Sequence, residues 1–267
     1  MTATIISWTD ETWNPTTGCS KVSEGCRFCY AERLSLKFGW SKKPWTKRNA
    51  KANVVLHPER LRKPYSYKKP SRVFVNSMSD LFHELIPDDY VAQVFAVMND
   101  LPQHVFQVLT KRSARAETWP GPWPVNVWMG TSIEDMRVIG RMEQIRRCGA
   151  QVKFLSLEPL LGRIKDLDLT GFQWVIVGGE SGQTFRPMKM EWVREIRDAC
   201  VKQGVAFFMK QDAGYRTELR PWVVEEDGSR SEFHQYPGQL SAPVPVSGSR
   251  PKGPTSRGVD LEQARLF

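Results

Sequence analysis

The chain has 267 residues, enough for one large α/β domain, with 40% hydrophobic and 25% charged residues in ordinary globular proportion. No apolar run approaches the roughly 20 residues that span a bilayer, and Met1-Thr2-Ala3-Thr4 lacks a basic-then-apolar leader profile, so a cytoplasmic protein is expected rather than a membrane or secreted one. The net charge of +9 favours polyanionic partners, because Lys and Arg that neutralise phosphates release condensed counterions.

In chain order, a short strand precedes three cysteines, Cys19, Cys26 and Cys29, which fall within eleven residues. Residues 41–72 then carry eleven Lys/Arg against one acid, Glu59, with Trp45, Tyr65 and Tyr67 interleaved. That composition suits a nucleic-acid landing surface with aromatic stacking, the plainer reading being a solvated insertion. A further short strand is expected at Asn53–Leu56.

From residue 72 one pattern repeats: a short apolar strand, a polar turn, then a helical stretch. Strands are predicted at Arg72–Asn76, Val105–Leu109, Val127–Gly130, Lys153–Leu157, Trp174–Val177 and Val205–Met209. Their unbroken Val, Phe and Trp content fits parallel strands buried on both faces. Helices are predicted at Asp88–Asn99, Ile133–Cys148 and Glu191–Gln203. Seven or eight such units predict a full or partial (β/α) barrel over residues 1–215, including the basic insertion. Residues 216–267 form a C-terminal extension, and Ser241–Gly258, rich in Pro, Ser and Gly, reads as a flexible tail.

In a barrel the chemistry sits at the C-terminal strand ends. Those ends carry Ser77 and Asp80, Thr110 and Lys111, Glu158, Glu180, and Lys210 with Gln211. Carboxylates suit ribose hydroxyls and ammonium groups, and Lys suits a carboxylate. Each of these residues can equally be a helix cap or one half of an ion pair in the barrel mouth. Cys148 and Cys200 stand alone in predicted helices and read as packing residues.

The cysteine spacing is C-x6-C-x2-C. Three thiolates on one loop can grip three irons of a cubane cluster and leave the fourth open, with Phe28 and Tyr30 shielding the last ligand. Gly18 and Gly25 let the backbone wrap and turn N–H groups toward sulfur. The alternatives are a structural zinc site, although zinc normally takes four closed ligands and the chain has only four histidines, and a group of buried, inert cysteines that happen to lie close.

The segment resembles the radical S-adenosylmethionine (SAM) superfamily, whose usual ligand loop is C-x3-C-x-aromatic-C. Cys26-Arg27-Phe28-Cys29 matches its second half, while the first gap holds six residues instead of three. The whole layout is similar to a bacteriophage-type branch. It runs through Trp13-Asn14-Pro15, Gly18-Cys19, Asn76-Ser77-Met78-Ser79-Asp80-Leu81-Phe82, Leu109-Thr110-Lys111-Arg112, Gly130-Thr131-Ser132, Ser156-Leu157-Glu158-Pro159, Gly178-Gly179-Glu180-Ser181 and Lys210-Gln211.

Over about residues 8–215 the resemblance implies a radical SAM barrel with one [4Fe–4S] cluster on Cys19, Cys26 and Cys29. It implies SAM as cofactor, with Ser77, Asp80, Thr110, Lys111, Glu158 and Glu180 as candidate SAM- or substrate-binding residues, and an external electron donor such as flavodoxin or ferredoxin. The implied reaction generates a 5′-deoxyadenosyl radical that isomerises an amino-acid (glycinyl) adduct of thymidine in phage DNA hypermodification. The alternatives are a radical SAM DNA photoproduct lyase, an RNA-modifying methylthiolase or methyltransferase, and, in another class, a zinc-stabilised nucleic-acid-binding module.

Overall fold

The computed structural model describes residues 4, 6–215, 221–238 and 244–245. The strands in chain order are β1 (Glu11–Trp13), β2 (Thr16–Thr17), β3 (Val55–Leu56), β4 (Arg72–Val75), β5 (Val105–Thr110), β6 (Val127–Ser132), β7 (Val152–Leu157), β8 (Trp174–Gly178), β9 (Ala206–Gln211), β10 (Trp222–Val224), β11 (Arg230–Glu232) and β12 (Val244–Pro245). The α-helices are α1 (Tyr30–Lys37), α2 (Ala50–Asn53), α3 (Asp88–Asp100), α4 (Ser113–Glu117), α5 (Arg141–Arg147) and α6 (Met190–Gln203).

Seven strands form one all-parallel sheet in the order β1-β4-β5-β6-β7-β8-β9, so each main strand lies beside its predecessor. Among the described residues β1 and β9 do not pair, and the curled sheet is a half-barrel of α/β class. Of the two architectures expected, full or partial barrel, the partial one is formed. Helices α3, α4, α5 and α6 fill four of the crossovers.

Strand alternation separates the two faces of the sheet. Val73, Val75, Phe106, Val108, Met129, Leu155, Val175, Val177 and Phe207 point outward and pack with Val94, Phe95, Ile145 and Ile196 of the helices. Phe74, Trp128, Phe154, Trp174, Ile176 and Phe208 point inward, together with Trp8 and Tyr236. Trp174 is the hub of this inner set, with ring centroids 5.4–6.1 Å from Trp8, Trp128, Phe154, Phe208 and Tyr236. These rings plug the half-barrel toward the strand starts. Polar inward positions toward the strand ends remain for a site.

Two predicted elements change. The strand expected at Asn53–Leu56 shrinks to β3, which pairs antiparallel with β2 outside the main sheet. Val55 is 42% exposed, whereas a strand of the main sheet is covered on both faces. The helix expected over Ile133–Cys148 is helical only from Arg141. Asp135 takes the amide of Arg137 on its side chain and starts a separate 3-10 turn at Met136–Val138. Strands β5, β6 and β9 run one or two residues further than their apolar cores, because Thr110, Ser132 and Gln211 continue the ladder, while β4 stops at Val75, one residue short of the expected Asn76, whose φ of 68° leaves the strand.

Beyond β9, residues 221–238 cover that edge strand. Met209 donates its amide to Phe233, Phe208 pairs with His234, and β10 and β11 form an antiparallel ribbon. Covering an edge in this way removes a template for unwanted strand addition. The tail expected at Ser241–Gly258 lies outside the described residues, apart from the backbone of β12.

Candidate active site

The cysteine loop is tied down at many points. The Gly18 amide donates to Met78 O at 2.9 Å, Ser79 Oγ donates to Gly18 O at 2.7 Å, and Ser23 Oγ donates to Glu134 Oε1 at 2.9 Å. Gly25 lies so close to Glu134 that a Cβ there would sit 2.3 Å from Glu134 Cγ, so any larger residue would have to displace the Glu134 side chain from its bonds to Ser23 and Arg141. His83 accepts the Leu85 amide on Nδ1, which leaves Nε2 protonated to donate to Ser20 Oγ at 2.9 Å.

Cys19, Cys26 and Cys29 line one cavity of about 150 Å³ with Tyr30, Asn76, Ser77, Asp80, Lys111 and Arg112. Burial pushes the Cys19 thiol up to about 12, against the pull of the Arg112 guanidinium. Burial also raises Cys29, opposed by the amides of Glu32 and Ala31, because Cys29 is the N-cap of α1. Burial works against charge on Lys111. Glu134 and the thiols of Cys26 and Cys29 outweigh it, and the ammonium is held above the usual lysine range.

The strand-end candidates divide by what they touch. Asp80 is buried and accepts four bonds: from Phe82 N, Thr110 Oγ1 (2.6 Å), Lys111 N and Arg112 Nη1. Thr110 Oγ1 also accepts from Arg112 N at 2.8 Å. Ser77 accepts from Asn14 Nδ2 at 3.0 Å, and its carbonyl accepts from Tyr30 Oη at 2.8 Å. Glu180 is clamped by Arg186, whose Nε and Nη2 reach the two carboxylate oxygens at 2.9 and 2.7 Å. All four side chains are engaged with the protein itself.

Lys111 and Glu158 face inward. They line a second cavity of about 160 Å³ with Phe28, Cys29, Tyr30 and Lys210, so the two cavities adjoin at Cys29, Tyr30 and Lys111. Glu158 follows β7 and Lys210 is the next-to-last residue of β9, and they pair across Gly178 of the intervening strand. A Cβ on Gly178 would press within 3.2 Å of the Glu158 carboxyl carbon.

Three residues absent from the predicted site set organise it. Arg112 donates to Cys19 Sγ at 3.4 Å and to Ser20. Glu134 binds Ser23, Arg141 and Lys111. Arg186 joins Glu180 to Glu24 of the cysteine loop and lies 5.2 Å from the Phe28 ring centroid. Arg112 stands in the Leu109-Thr110-Lys111-Arg112 motif, so a signal for it was present. The partners of Arg186 are tertiary and leave no local signature.

Comparison with known proteins gives a family. The family model described as Protein of unknown function (DUF5131) matches residues 3–250. The chain belongs to that family. No curated protein matches the sequence. Two solved structures show a likeness: spore photoproduct lyase complexed with dinucleoside spore photoproduct, and a mutant of that lyase with bound AdoMet and the same dinucleoside. Each has 14% identity and a TM-score of 0.41, over 70% and 72% of this chain. This chain spans about three fifths of their length, 59% and 61%.

In this DUF5131 chain the donor set suits a cluster. Three thiols share one cavity, with cations and amides turned toward sulfur, as an iron–sulfur centre requires. Among the described residues no three His, Cys, Asp or Glu side chains lie close enough to hold a metal ion. A zinc ion asks its ligands to converge on one point, whereas thiolates on a cubane each take a separate iron. Besides the three thiols the cavity lining offers one further His, Cys, Asp or Glu among the described residues, Asp80, whose carboxylate is taken by four donors, so the set matches three thiolates on a cluster rather than the four closed ligands of zinc.

The basic segment is placed beside this cavity, with a correction to its aromatic content. Trp45 is 3% exposed, packed against Ala31 and Met78, and donates Nε1 to Ser41. Tyr67 Oη donates to Thr12 O, and Tyr65 Oη donates to Asp100. Trp45 is thus an anchor, its apolar ring buried against the loop, and is closed to base stacking. Lys42, Lys43, Lys47, Arg48 and Lys51 around it are exposed. Among the described residues no helix is long and apolar enough to cross a membrane.

Proposed function

We propose that this chain is a radical SAM enzyme acting on DNA, with Cys19, Cys26 and Cys29 as the ligands of a [4Fe–4S] cluster. The observation that supports it most is the gathering of three thiols on one cavity at the C-terminal ends of parallel strands, where barrel folds keep their chemistry. When bound, the cluster supplies an electron that cleaves SAM, and the resulting 5′-deoxyadenosyl radical takes hydrogen from an unactivated carbon. A flavodoxin- or ferredoxin-like donor supplies that electron.

The chain's own residues bind, orient and exclude water. The inner aromatic plug closes one end of the half-barrel, so ligands enter at the strand ends. Asp80, Thr110, Ser77 and Glu180 hold the loops that present the thiols, while Lys111, Glu158 and Lys210 face the ligands. Glu158 and Lys210 are hydrogen-bonded to each other, which leaves ammonium N–H groups and carboxylate lone pairs for a ligand. Phe28, Phe74 and Leu109 add apolar wall beside them. An ionic pair next to apolar wall suits a base carrying an amino-acid group. The finer reading, which the motif resemblance implies and this pair accommodates, is isomerisation of a glycinyl adduct of thymidine in phage DNA. The exposed lysines of residues 42–51 hold the backbone, and the base is extruded to reach the cavity.

Anaerobic reconstitution tests this reading. It is expected to give about four irons per chain, and Ala at Cys19, Cys26 or Cys29 to abolish both cluster absorbance and SAM cleavage. Ala at Cys148 or Cys200, both buried in the helical layer, leaves iron content unchanged. SAM cleavage by the triple variant would end the cluster assignment. Product analysis tests the finer step: a rearranged amino-acid nucleoside supports the isomerase, and a repaired dipyrimidine would make the chain a photoproduct lyase.

A further inference from the structure

Arg112 leaves the end of β5 and carries its guanidinium beneath the cysteine loop, with 9% of its side chain exposed. Every nitrogen of the fork is engaged. Nε donates to Glu84 Oε2 at 2.8 Å, Nη1 to Asp80 Oδ2 at 3.2 Å and to Cys19 Sγ at 3.4 Å, and Nη2 to Ser20 O at 3.0 Å and Ser20 Oγ at 2.9 Å.

This is more than loop fastening needs. The two bonds from Nη2 to Ser20 already hold the loop, and His83 holds the same hydroxyl from another side. The remaining N–H is spent on a sulfur. The three thiols also differ in their donors: Ser23 Oγ stands 3.9 Å from Cys26, α1 amides face Cys29, and a buried cation reaches Cys19. Asp80 is itself held by Thr110, Phe82 and Lys111, so it cannot swing away and release the guanidinium.

We propose that Arg112 sets the reduction potential of the cluster from its Cys19 corner, as a positioning residue that acts through the ligand sulfur. The inference rests on the cluster reading above. Adding one electron, from a low-potential flavin or iron–sulfur donor or from dithionite in the laboratory, makes the cluster and its thiolates more negative. A cation donating to sulfur stabilises that reduced state more than the oxidised one, and hydrogen bonds to the sulfurs are among the levers that set these potentials. The guanidinium keeps its charge at every pH the protein meets.

The test is a potentiometric titration of reconstituted protein, followed by the electron paramagnetic resonance of the reduced cluster. At a given applied potential, Arg112→Gln is expected to shift the oxidised-to-reduced ratio about tenfold toward oxidised, a fall of about 59 mV for one electron. Arg112→Lys, which keeps the charge and loses the fork, falls between. Glu84→Gln removes a carboxylate that is 59% exposed from the far side of the guanidinium and moves the potential the opposite way by a smaller step. No role in holding the loop alone predicts opposite signs for those two variants. A potential unchanged in Arg112→Gln with full iron overturns the inference and leaves the cluster reading intact. If Arg112→Gln loses its iron, an unchanged Glu84→Gln overturns it instead. Wild-type protein that takes up no iron overturns the cluster reading and this inference together.

Discussion

Asp80 is the residue at which ligand binding and scaffolding make opposite predictions. Its side chain is 8% exposed and takes four donors, two on each oxygen, joining the turn after β4 to the end of β5. Asp80→Ala leaves the Arg112 guanidinium, 9% exposed, with only the outlying Glu84 as counter-charge. It also strips acceptors from the buried amide of Phe82 and the part-buried amide of Lys111. Breaking a buried ion pair from one side costs about 3–5 kcal/mol, and bonds to a charged group run to about 1.5–3 kcal/mol each without adding fully. A loss of about 4 kcal/mol is expected, a large share of a typical folding free energy of about 5–15 kcal/mol. Asn is no rescue. Whichever way its amide is turned, the NH2 group meets at least one backbone N–H, from Phe82 or from Lys111. Urea unfolding of the apoprotein measures this directly, with Glu195→Gln as the exposed control (its partner Arg163 is 53% exposed), expected to cost about 1 kcal/mol or less. If Asp80→Asn unfolds within about 1 kcal/mol of wild type yet binds SAM poorly, Asp80 is a ligand-binding residue and the scaffold argument fails.

Neutralising Lys42, Lys43, Lys47 and Arg48 together is expected to weaken DNA binding and to flatten the log–log salt dependence by about 0.7–0.9 for each phosphate no longer neutralised. Iron content should not change, because all four side chains are exposed while the segment is anchored near the thiols by Trp45; an unaltered salt slope removes the segment from the DNA site. Stability should also fall on mild acidification. Burial lowers the pKa of His104, His83 and His57, so the unfolded chain binds more protons than the folded one. The contribution is whole above about pH 6.5 and is lost as the pH falls from there through the lower folded-state values. His104 is fully buried, with Nδ1 accepting from Ser71 N and Nε2 without a partner among the described residues. A urea midpoint that stays flat from pH 7.5 to about 5 would contradict that sign.

Much of the frame can be read from the sequence, because parallel strands buried on both faces leave unbroken runs such as Trp174-Val175-Ile176-Val177, and three cysteines in eleven residues announce a common task. What stays hidden is tertiary. Asn53–Leu56 has strand composition, yet it pairs with Thr16 and Thr17 because the basic turns around it carry it away from the sheet. Trp45 sits among cations like a stacking residue, and only packing shows its ring turned inward against α1. Arg186 meets Glu24 across 162 positions of sequence. The strand-end candidates are an intermediate case, because the rule that sorts them is already in the sequence. With Leu109, Phe154, Ile176 and Phe208 inward, a period of two sends Lys111, Glu158, Gly178 and Lys210 to the same face and Thr110 to the other. Within the ladder that parity separates Lys111, which faces the cavity, from Thr110, which holds a loop; beyond the strand ends it fails, because Asp80 and Glu180 share the parity of Phe74 and Ile176 and are still bonded to the protein. The shift of register at Val177/Gly178 aligns Gly178 with Gln211, and Lys210 reaches Glu158 across the space that Gly178 leaves open.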